Sequence, residues 1–308
     1  MQHGQGRRLG FLFAGQGAQH PGMGQELYRQ SAAAREVLDR LEALRPGTLE
    51  DCFSAGAERL KQTDVAQPCL FAVQAAVAAA LTAAGLQPWA TAGFSLGEVS
   101  AVRFAGYLSL EEGFALVQTR AKAMAACAKA QPGGMLAVLR LEAEAVEALC
   151  RDIEGAYPVN YNCPGQTVCA AKQEALAGLE AAVKQRGGRC LPLQVSGPFH
   201  SPYMEPAAEE LLRALTALPA RSPQLRVYAN LSGEPYRDFA PTLAWQCARP
   251  VLFEKSVRAM LRDGAEAFVE IGPGKVLAGL VKKISPQTPV WSVEDEEGLE
   301  RAVEEANA

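Results

Sequence analysis

The sequence predicts an α/β protein in which a smaller α/β unit is inserted into a larger one. The 308 residues are enough to bury a full core, and strand-like and helical segments alternate along most of the chain. A G-x-S-x-G pattern at 93–97 lies between an apolar run and a helical pattern, which is typical of a sharp strand-to-helix turn. Between Pro132 and Pro198 the predicted order becomes β-α-β-β-α-β, the ferredoxin-like plan.

The larger unit begins with a buried strand at 9–14, because this short apolar run ends at the glycine-rich loop 15–17. The segment 89–94 is the strand that enters the serine turn, and 97–104 is the helix that leaves it. Apolar periodicity predicts the remaining elements of the larger unit: helices at 26–44, 68–84, 110–129, 206–218 and 253–263, and strands at 225–230 and 267–271.

The inserted unit lies between two glycine- and proline-containing junctions, one at Pro132-Gly133 and the other at 196–198. Its predicted strands and helices are, in order, 134–141 (strand), 142–152 (helix), 157–162 (strand), 166–172 (strand), 174–186 (helix) and 189–194 (strand). The sequence therefore predicts one domain formed by residues 1–131 and 198–308, and a subdomain formed by residues 132–197.

Composition excludes several function classes. The chain is 49% hydrophobic and 21% charged with a net charge of −4, so it has no basic footprint for a nucleic-acid partner. No stretch reaches the ~18–20 uninterrupted apolar residues of a membrane helix, and no membrane partner is expected. The glycine-broken segment after the first eight residues is too short for a secretory leader. We expect a cytoplasmic protein and, by default, a monomer.

The eight cysteines are scattered, with no C-x-x-C pair and no nearby histidine. This pattern predicts no metal site, because zinc sites use closely spaced cysteine and histidine ligands. A chain of this length also has no need of disulfide bonds, so the cysteines are predicted to be reduced packing residues.

Ser95 is the candidate nucleophile of the G-x-S-x-G turn. The glycines on either side of it are needed because a Cβ would clash in so tight a turn. The helix that follows points its N-terminal N–H groups at the group that the serine attacks, which suits a developing oxyanion.

An activated serine needs a base, and histidine has the appropriate pKa. The chain has three histidines: His3 near the terminus, His20 in the glycine-rich loop, and His200 where the insertion rejoins the larger unit. Clefts between subdomains are common ligand sites, so His200 is the predicted base. No Asp or Glu between Ser95 and His200 stands out as the group that orients it, and a backbone carbonyl is the alternative.

Six motifs occur in order along the chain. They lie at 13–19 (FAGQGAQ), 93–98 (GFSLGE), 118–124 (QTRAKAM), 160–166 (NYNCPGQ), 197–204 (GPFHSPYM) and 270–277 (EIGPGKVL). This ordered set, which is far more specific than any single motif, resembles the malonyl-CoA:acyl carrier protein transacylases of type II fatty acid synthesis. The resemblance runs from Gly10 to about Ile284. The family has an α/β-hydrolase-like core with an inserted ferredoxin-like subdomain, so the resemblance implies that fold.

Position by position, the resemblance implies that Ser95 is the nucleophile and His200 its general base. The backbone N–H groups of Gln16 and Leu96 would form the oxyanion hole. Arg120 would bind the free carboxylate of the malonyl group, a role that suits a planar, permanently charged guanidinium.

Further positions carry weaker implications. Gln67, Asn162 and Phe199 would line the substrate pocket, and the Phe199 ring would crowd a 2-methyl substituent. The acceptor that orients His200 would be a main-chain carbonyl near Leu252.

This chain departs from the family pattern at three positions. Phe94 replaces the usual histidine before the nucleophile, Arg249 stands where the family often has asparagine, and Cys163 where it often has serine. Because both glycines of the turn remain, we expect its geometry to survive, with acyl preference the property most open to change.

The implied reaction is ping-pong transfer of malonyl from malonyl-CoA, through malonyl-Ser95, to the phosphopantetheine thiol of an acyl carrier protein. No cofactor is implied beyond these substrates. One alternative is a serine thioesterase or hydrolase that uses the same pair, and a related one is an acyltransferase with another acyl-CoA preference. A third is a non-catalytic docking subunit.

Overall fold

The computed structural model describes residues 7–307 and contains two β-sheets. The strands within this range are β1 Leu9–Phe13, β2 Ala90–Gly93, β3 Gly133–Leu139, β4 Ala156–Cys163, β5 Gln166–Lys172, β6 Arg189–Pro192, β7 Arg226–Tyr228, β8 Ala267–Ile271 and β9 Val290–Val293.

Helices cover most of the remaining chain. Within the same range they are α1 Gln25–Gln30, α2 Ala32–Leu44, α3 Thr48–Phe53, α4 Ala57–Leu60, α5 Thr63–Ala83, α6 Leu96–Phe104, α7 Leu110–Ala130, α8 Ala143–Asp152, α9 Leu176–Gln185, α10 Glu205–Thr216, α11 Phe239–Trp245, α12 Phe253–Arg262, α13 Val276–Ile284 and α14 Glu296–Asn307. Two 3₁₀ turns, Pro202–Met204 and Gln246–Ala248, precede α10 and follow α11.

The larger sheet is parallel, with the strand order β7-β2-β1-β8-β9. Its central strands β1, β2 and β8 are buried at every residue, as expected for a parallel sheet covered by helices on both faces. The smaller sheet is antiparallel, with the order β4-β5-β3-β6. The prediction of a mixed α/β protein is therefore confirmed.

Helix α5 lies in the core beside the parallel sheet. It is the one helix in residues 7–307 that is long and apolar enough to cross a membrane by length and composition, and 89% of its most apolar window is buried inside the protein. An alanine-rich helix that is apolar on all sides packs closely against its neighbours. Here α5 contacts α2, α6 and α7, which connects it to the helix that leaves the serine turn.

Most predicted elements are present, and two boundaries were wrong. The segment 26–44 is two helices, because Ser31 is extended and its side chain accepts a hydrogen bond from the N–H of Ala34 to cap α2. The helix predicted from residue 68 begins at Thr63, with Pro68 inside it. Pro68 is the sixth residue of α5, so it has no N–H for the i→i−4 hydrogen bond that another residue would make there.

Several elements were not predicted. They are the short helices α3, α4 and α11, together with α13, β9 and α14 in the last forty residues. The short helices have too few turns for a periodic pattern. Strand β9 has only four residues, and its register is fixed by pairing with β8.

The β2–α6 turn is closed by contact between backbones. A Cβ on Gly97 would overlap the carbonyl oxygen of Phe13 on β1, and one on Gly93 would overlap the backbone of Gly97. The serine turn is therefore packed directly on the neighbouring strand, without room for side chains at either glycine.

The substitution Gly97→Ala should lower the free energy of unfolding by about 3 kcal/mol or more, because backbone atoms must move to admit the methyl group. Gly178→Ala on α9 is the matched control, since a Cβ there meets no atom within 4 Å. The control should be neutral or stabilising by up to ~1 kcal/mol. Urea denaturation measures both values, and equal effects of the two substitutions would contradict this account of the turn.

Candidate active site

Ser95 occupies the turn between β2 and α6 in a conformation that residues with a side chain rarely adopt. Its φ is 54° and its ψ is −109°, and it is the N-cap of α6. The residue is 9% exposed. A positive φ at a non-glycine residue is strained, and the surrounding backbone must hold it in place.

His200 lies against Ser95 and has the geometry of a general base. Its Nε2 is 2.6 Å from the Ser95 Oγ, and its Nδ1 is 2.9 Å from the main-chain carbonyl of Gln246. Because a carbonyl only accepts, Nδ1 carries the proton and Nε2 presents its lone pair to the serine hydroxyl. The backbone N–H of His200 donates to the carbonyl of Cys247, which holds the main chain that carries the ring.

The acceptor predicted for His200, a carbonyl near Leu252, was wrong. The carbonyl of Leu252 accepts from the backbone N–H of Ser256 in the first turn of α12. Gln246 instead begins a 3₁₀ turn, and its carbonyl accepts from the imidazole at 2.9 Å and from the backbone N–H of Arg249 at 3.5 Å. The group that orients His200 is thus a main-chain carbonyl, as expected from a sequence in which no Asp or Glu between Ser95 and His200 stood out for this role.

Burial keeps His200 neutral. It is 3% exposed, and its burial, aided by the nearby positive charge of Arg120, lowers its pKa to about 4. The imidazole is therefore in its basic form across the neutral pH range.

Arg120 on α7 is buried beside the nucleophile. It is 2% exposed, and one of its terminal nitrogens is 3.2 Å from the Ser95 Oγ and 3.0 Å from the side-chain oxygen of Gln246. The other donates to the side-chain oxygen of Gln67 at 2.8 Å. These three hydrogen-bond partners within residues 7–307 are neutral, and burial lowers the pKa of the guanidinium. A buried cation with neutral partners is a site for an anion.

A cavity of about 260 Å³ opens onto Ser95 and His200 between the two sheets. Its wall is largely apolar and includes residues from β3, α7, α13 and the loop after β6. The lining residues are Ala14, Gly15, Gln16, Gly17, Ala18, Phe94, Ser95, Met124, Met135, Ala137, Asn160, Asn162, Gln166, Val168, Leu193, Val195, Phe199, His200, Val276, Leu277 and Leu280.

The structure brings together most of the sequence-predicted residues. Gln16, Asn162 and Phe199 line the cavity, and Leu96 is the first residue of α6 after the nucleophile. Gln67 is fully buried and acts on the site indirectly. Its side-chain oxygen accepts a hydrogen bond from Arg120, and its side-chain nitrogen donates to the side-chain oxygen of Gln16.

Three side chains at the site were missed. Asn160 and Gln166 line the cavity, and both belong to the 160–166 motif that drew attention to Asn162. Gln246 contacts Arg120 and also orients His200, but it lies in a segment without a motif and only the fold brings it to the site.

Phe94, the departure just before the nucleophile, forms part of the cavity wall. Its ring meets the ring of Phe253 edge-on, with centroids 5.5 Å apart, and covers Gly15. An apolar ring thus lies at the position where the resemblance led us to expect an imidazole.

The family model for an acyl transferase domain matches residues 10–296. The chain belongs to the acyl transferase family. It is 38% identical over 306 residues to the malonyl CoA-acyl carrier protein transacylase of Bacillus subtilis, an alignment that covers 96% of each protein.

Two solved structures extend this comparison of the acyl transferase. The malonyl CoA-acyl carrier protein transacylase of Clostridium perfringens superposes with a TM-score of 0.92 at 38% identity, covering 97% of this chain and 96% of that one. A malonyl-transacylase in complex with its type II PKS acyl-carrier protein superposes with a TM-score of 0.92 at 30% identity, covering 97% of this chain and 99% of that one.

The reaction of Ser95 in this acyl transferase should persist to unusually low pH. A lowered pKa keeps more His200 in the basic form as the pH falls. The rate of the Ser95 reaction should therefore fall off near pH 4 rather than near pH 6.5. The measurement is the rate at which a fluorophosphonate labels Ser95 between pH 3.5 and 8.

A second buried group titrates in this range and needs its own control. Burial raises the pKa of Glu98 to about 7. The profile is therefore repeated with Glu98→Gln, in which the limb near pH 4 should persist. If the labelling rate of both the unmodified chain and Glu98→Gln instead fell off near pH 6.5, the imidazole of His200 would not be shielded from water as described.

Proposed function

We propose that this acyl transferase carries a malonyl group from malonyl-CoA to the phosphopantetheine thiol of an acyl carrier protein, through a malonyl-Ser95 intermediate. The observation that carries the proposal is the buried guanidinium of Arg120, 3.2 Å from the Ser95 Oγ. Glu98 acts on this cation only from beyond hydrogen-bond distance, and an acyl group that brings its own carboxylate would supply the directly bonded anion that Arg120 does not have within residues 7–307. The names of the relatives from Bacillus subtilis and Clostridium perfringens support the same substrate.

In the first half-reaction His200 Nε2 takes the hydroxyl proton as Ser95 Oγ attacks the malonyl thioester carbon. The tetrahedral oxyanion would be held by the backbone N–H groups of Gln16 and Leu96, and Leu96 begins helix α6. The C–S bond then breaks, the CoA thiolate takes the proton from His200, and malonyl-Ser95 remains. No metal or further cofactor enters these steps.

Arg120 would select the acyl group by its charge. A bidentate guanidinium–carboxylate pair in a dry site is strong, and an acyl group without a carboxylate leaves the cation without its anion. Phe199 and Phe94 on the cavity wall limit the space for a substituent on the malonyl carbon. One methyl group there changes discrimination by only ~1–3 kcal/mol, so charge is the larger determinant.

In the second half-reaction His200 Nε2 takes the proton of a phosphopantetheine thiol as its sulfur attacks the ester carbon of malonyl-Ser95. The C–O bond to Ser95 then breaks, Ser95 Oγ takes the proton from His200, and malonyl remains on the arm as a thioester. The apolar cavity would hold the arm, and two carboxamides face it. The side-chain oxygens of Asn160 and Asn162 are buried and have no hydrogen-bond partner within residues 7–307. The amide N–H groups of the arm are suitable donors for them.

The acyl carrier protein would dock beside the cavity mouth. Arg140, Arg189 and Lys283 are exposed around a groove that shares Gln166 with the cavity, and Lys283 Nζ is 3.1 Å from the Gln166 side-chain oxygen. A basic surface suits an acidic carrier. The related malonyl-transacylase solved in complex with an acyl-carrier protein supports a partner of this class.

We also propose a two-part architecture, with an α/β-hydrolase-like domain at 1–131 and 198–308 and a ferredoxin-like subdomain at 132–197. Two features support the subdomain: its chain order β3-α8-β4-β5-α9-β6, and its antiparallel sheet order, in which the first and third strands are central. The cavity lies where the two parts meet, since it is lined from both.

The proposal is tested by intact-protein mass after brief mixing with malonyl-CoA. A malonyl adduct should form on the unmodified chain and not on Ser95→Ala. Addition of holo acyl carrier protein should remove the adduct and place malonyl on the carrier. Loss of the adduct at the same rate without carrier would instead show a hydrolase, and an adduct only from another acyl-CoA would show a different acyl preference.

Arg120→Ala should reduce the ratio of malonyl-CoA to acetyl-CoA acylation rates by roughly 100-fold, because only malonyl loses an ion pair. Lys122→Ala, an exposed cation on the same helix, is the matched control and should leave the ratio unchanged. An Arg120→Ala enzyme that kept its malonyl preference would remove the selectivity role.

A further inference from the structure

We infer that Asn230 is a positioning residue for the nucleophile: its side chain holds both ends of the strained turn at Ser95. The inference rests on the proposed role of Ser95 as the acylated group. Asn230 follows β7, a strand at the edge of the parallel sheet, and its side chain is fully buried.

The hydrogen bonds of Asn230 bracket the turn. Its Oδ1 accepts from the backbone N–H of Ser95 at 2.8 Å, and its Nδ2 donates to the carbonyl of Gly93 at 2.6 Å. One carboxamide therefore satisfies a donor and an acceptor that lie two residues apart, across the positive φ of Ser95. Without it both backbone groups would be buried and unpaired, at a cost of ~1–3 kcal/mol each.

Asn230 is itself held by a buried carboxyl group. Its backbone N–H donates to Glu98 Oε1 at 3.0 Å, and the hydroxyl of Tyr236 donates to the same oxygen at 2.6 Å. Glu98 is on the first turn of α6, three residues after the nucleophile. Helix α6, which follows the turn, therefore holds Asn230 in place through Glu98, and Asn230 in turn holds the turn at Ser95.

The same carboxamide connects the nucleophile to the arginine. The side-chain nitrogen of Gln246 donates to Asn230 Oδ1 at 3.2 Å and to the carbonyl of Ser95, while its oxygen accepts from Arg120. The Asn230 oxygen therefore shares with the Ser95 carbonyl the task of orienting the Gln246 amide. A shift of Asn230 would therefore move the Ser95 backbone relative to both His200 and Arg120.

The consequence concerns the rate of the chemical step more than the binding of substrate. Asn230 does not line the cavity, so it makes no contact with a ligand there. It sets the direction of the Ser95 Oγ and of the following N–H of Leu96, which would be one half of the oxyanion hole. A misplacement of about 1 Å at such a centre costs on the order of 10²-fold in rate.

The test uses Asn230→Leu and Asn230→Asp in the full chain. Leucine has a similar size and can make neither bond, whereas ionised aspartate can accept from Ser95 but cannot donate to Gly93. Asn307→Asp, the same chemical change on an exposed residue of α14, is the matched control and should have no effect.

The readouts are the rate of fluorophosphonate labelling of Ser95, the Kd for CoA, and the thermal midpoint. For Asn230→Leu we expect labelling to slow about 100-fold while the Kd for CoA changes less than about threefold. For Asn230→Asp we expect the rate relative to the unmodified chain to fall as the pH rises from 5 to 9 and the aspartate loses its proton.

Labelling within threefold of the unmodified chain in folded Asn230→Leu would overturn the inference. If that variant does not fold, a pH-independent ratio near one for Asn230→Asp would overturn it. The fluorophosphonate carries no malonyl group. A failure of malonyl-CoA to acylate the unmodified chain would therefore count against the proposed substrate and leave this test intact.

Discussion

The strained turn at Ser95 is the constraint on which the rest of the site depends. The turn is closed by Gly93 and Gly97 against the backbone of β1, and this contact leaves no freedom to move the serine without moving a central strand. The imidazole of His200, the guanidinium of Arg120 and the amides proposed to form the oxyanion hole are all placed relative to that one hydroxyl. Strain of this kind persists only where the surrounding structure determines it from several directions.

The residues that hold the turn at Ser95 are far apart in the sequence. Residues from the loop after β7, from α7 and from the 3₁₀ turn after α11 meet behind Ser95, and their contacts are hydrogen bonds between carboxamides, backbone groups and one guanidinium. Carboxamides both donate and accept, so each can join two backbone groups of opposite kind. Such a network orients the reacting groups without placing a second full charge beside the base. The single buried carboxyl group behind it, Glu98, has its pKa raised to about 7 by burial.

The sequence predicted the elements that have a strong local signal, and it singled out Ser95 and His200, two candidate residues whose side chains the structure brings into contact. Ser95 could be identified because its glycines are demanded by local geometry, and His200 because few histidines compete with it. The acceptor on Gln246 could not, because a main-chain carbonyl leaves no trace in residue identity. The same holds for Asn230, which approaches the turn only after β7 has paired with β2. The predicted single helix at 26–44 failed for a different reason, since the side chain of Ser31 favours a new helix start over continuation.

The strand order has a consequence for how the protein is made. Strand β1 lies at the centre of the parallel sheet, and one of its two neighbours, β8, is not synthesised until more than 250 residues later. Until then a growing chain carries a fully apolar strand with an unpaired edge, together with the apolar helix α5. Such surfaces aggregate when exposed, and long-range parallel pairing is slow. During translation, this chain should therefore depend on chaperones that shield its N-terminal half until the ribosome has released the strand that completes the sheet.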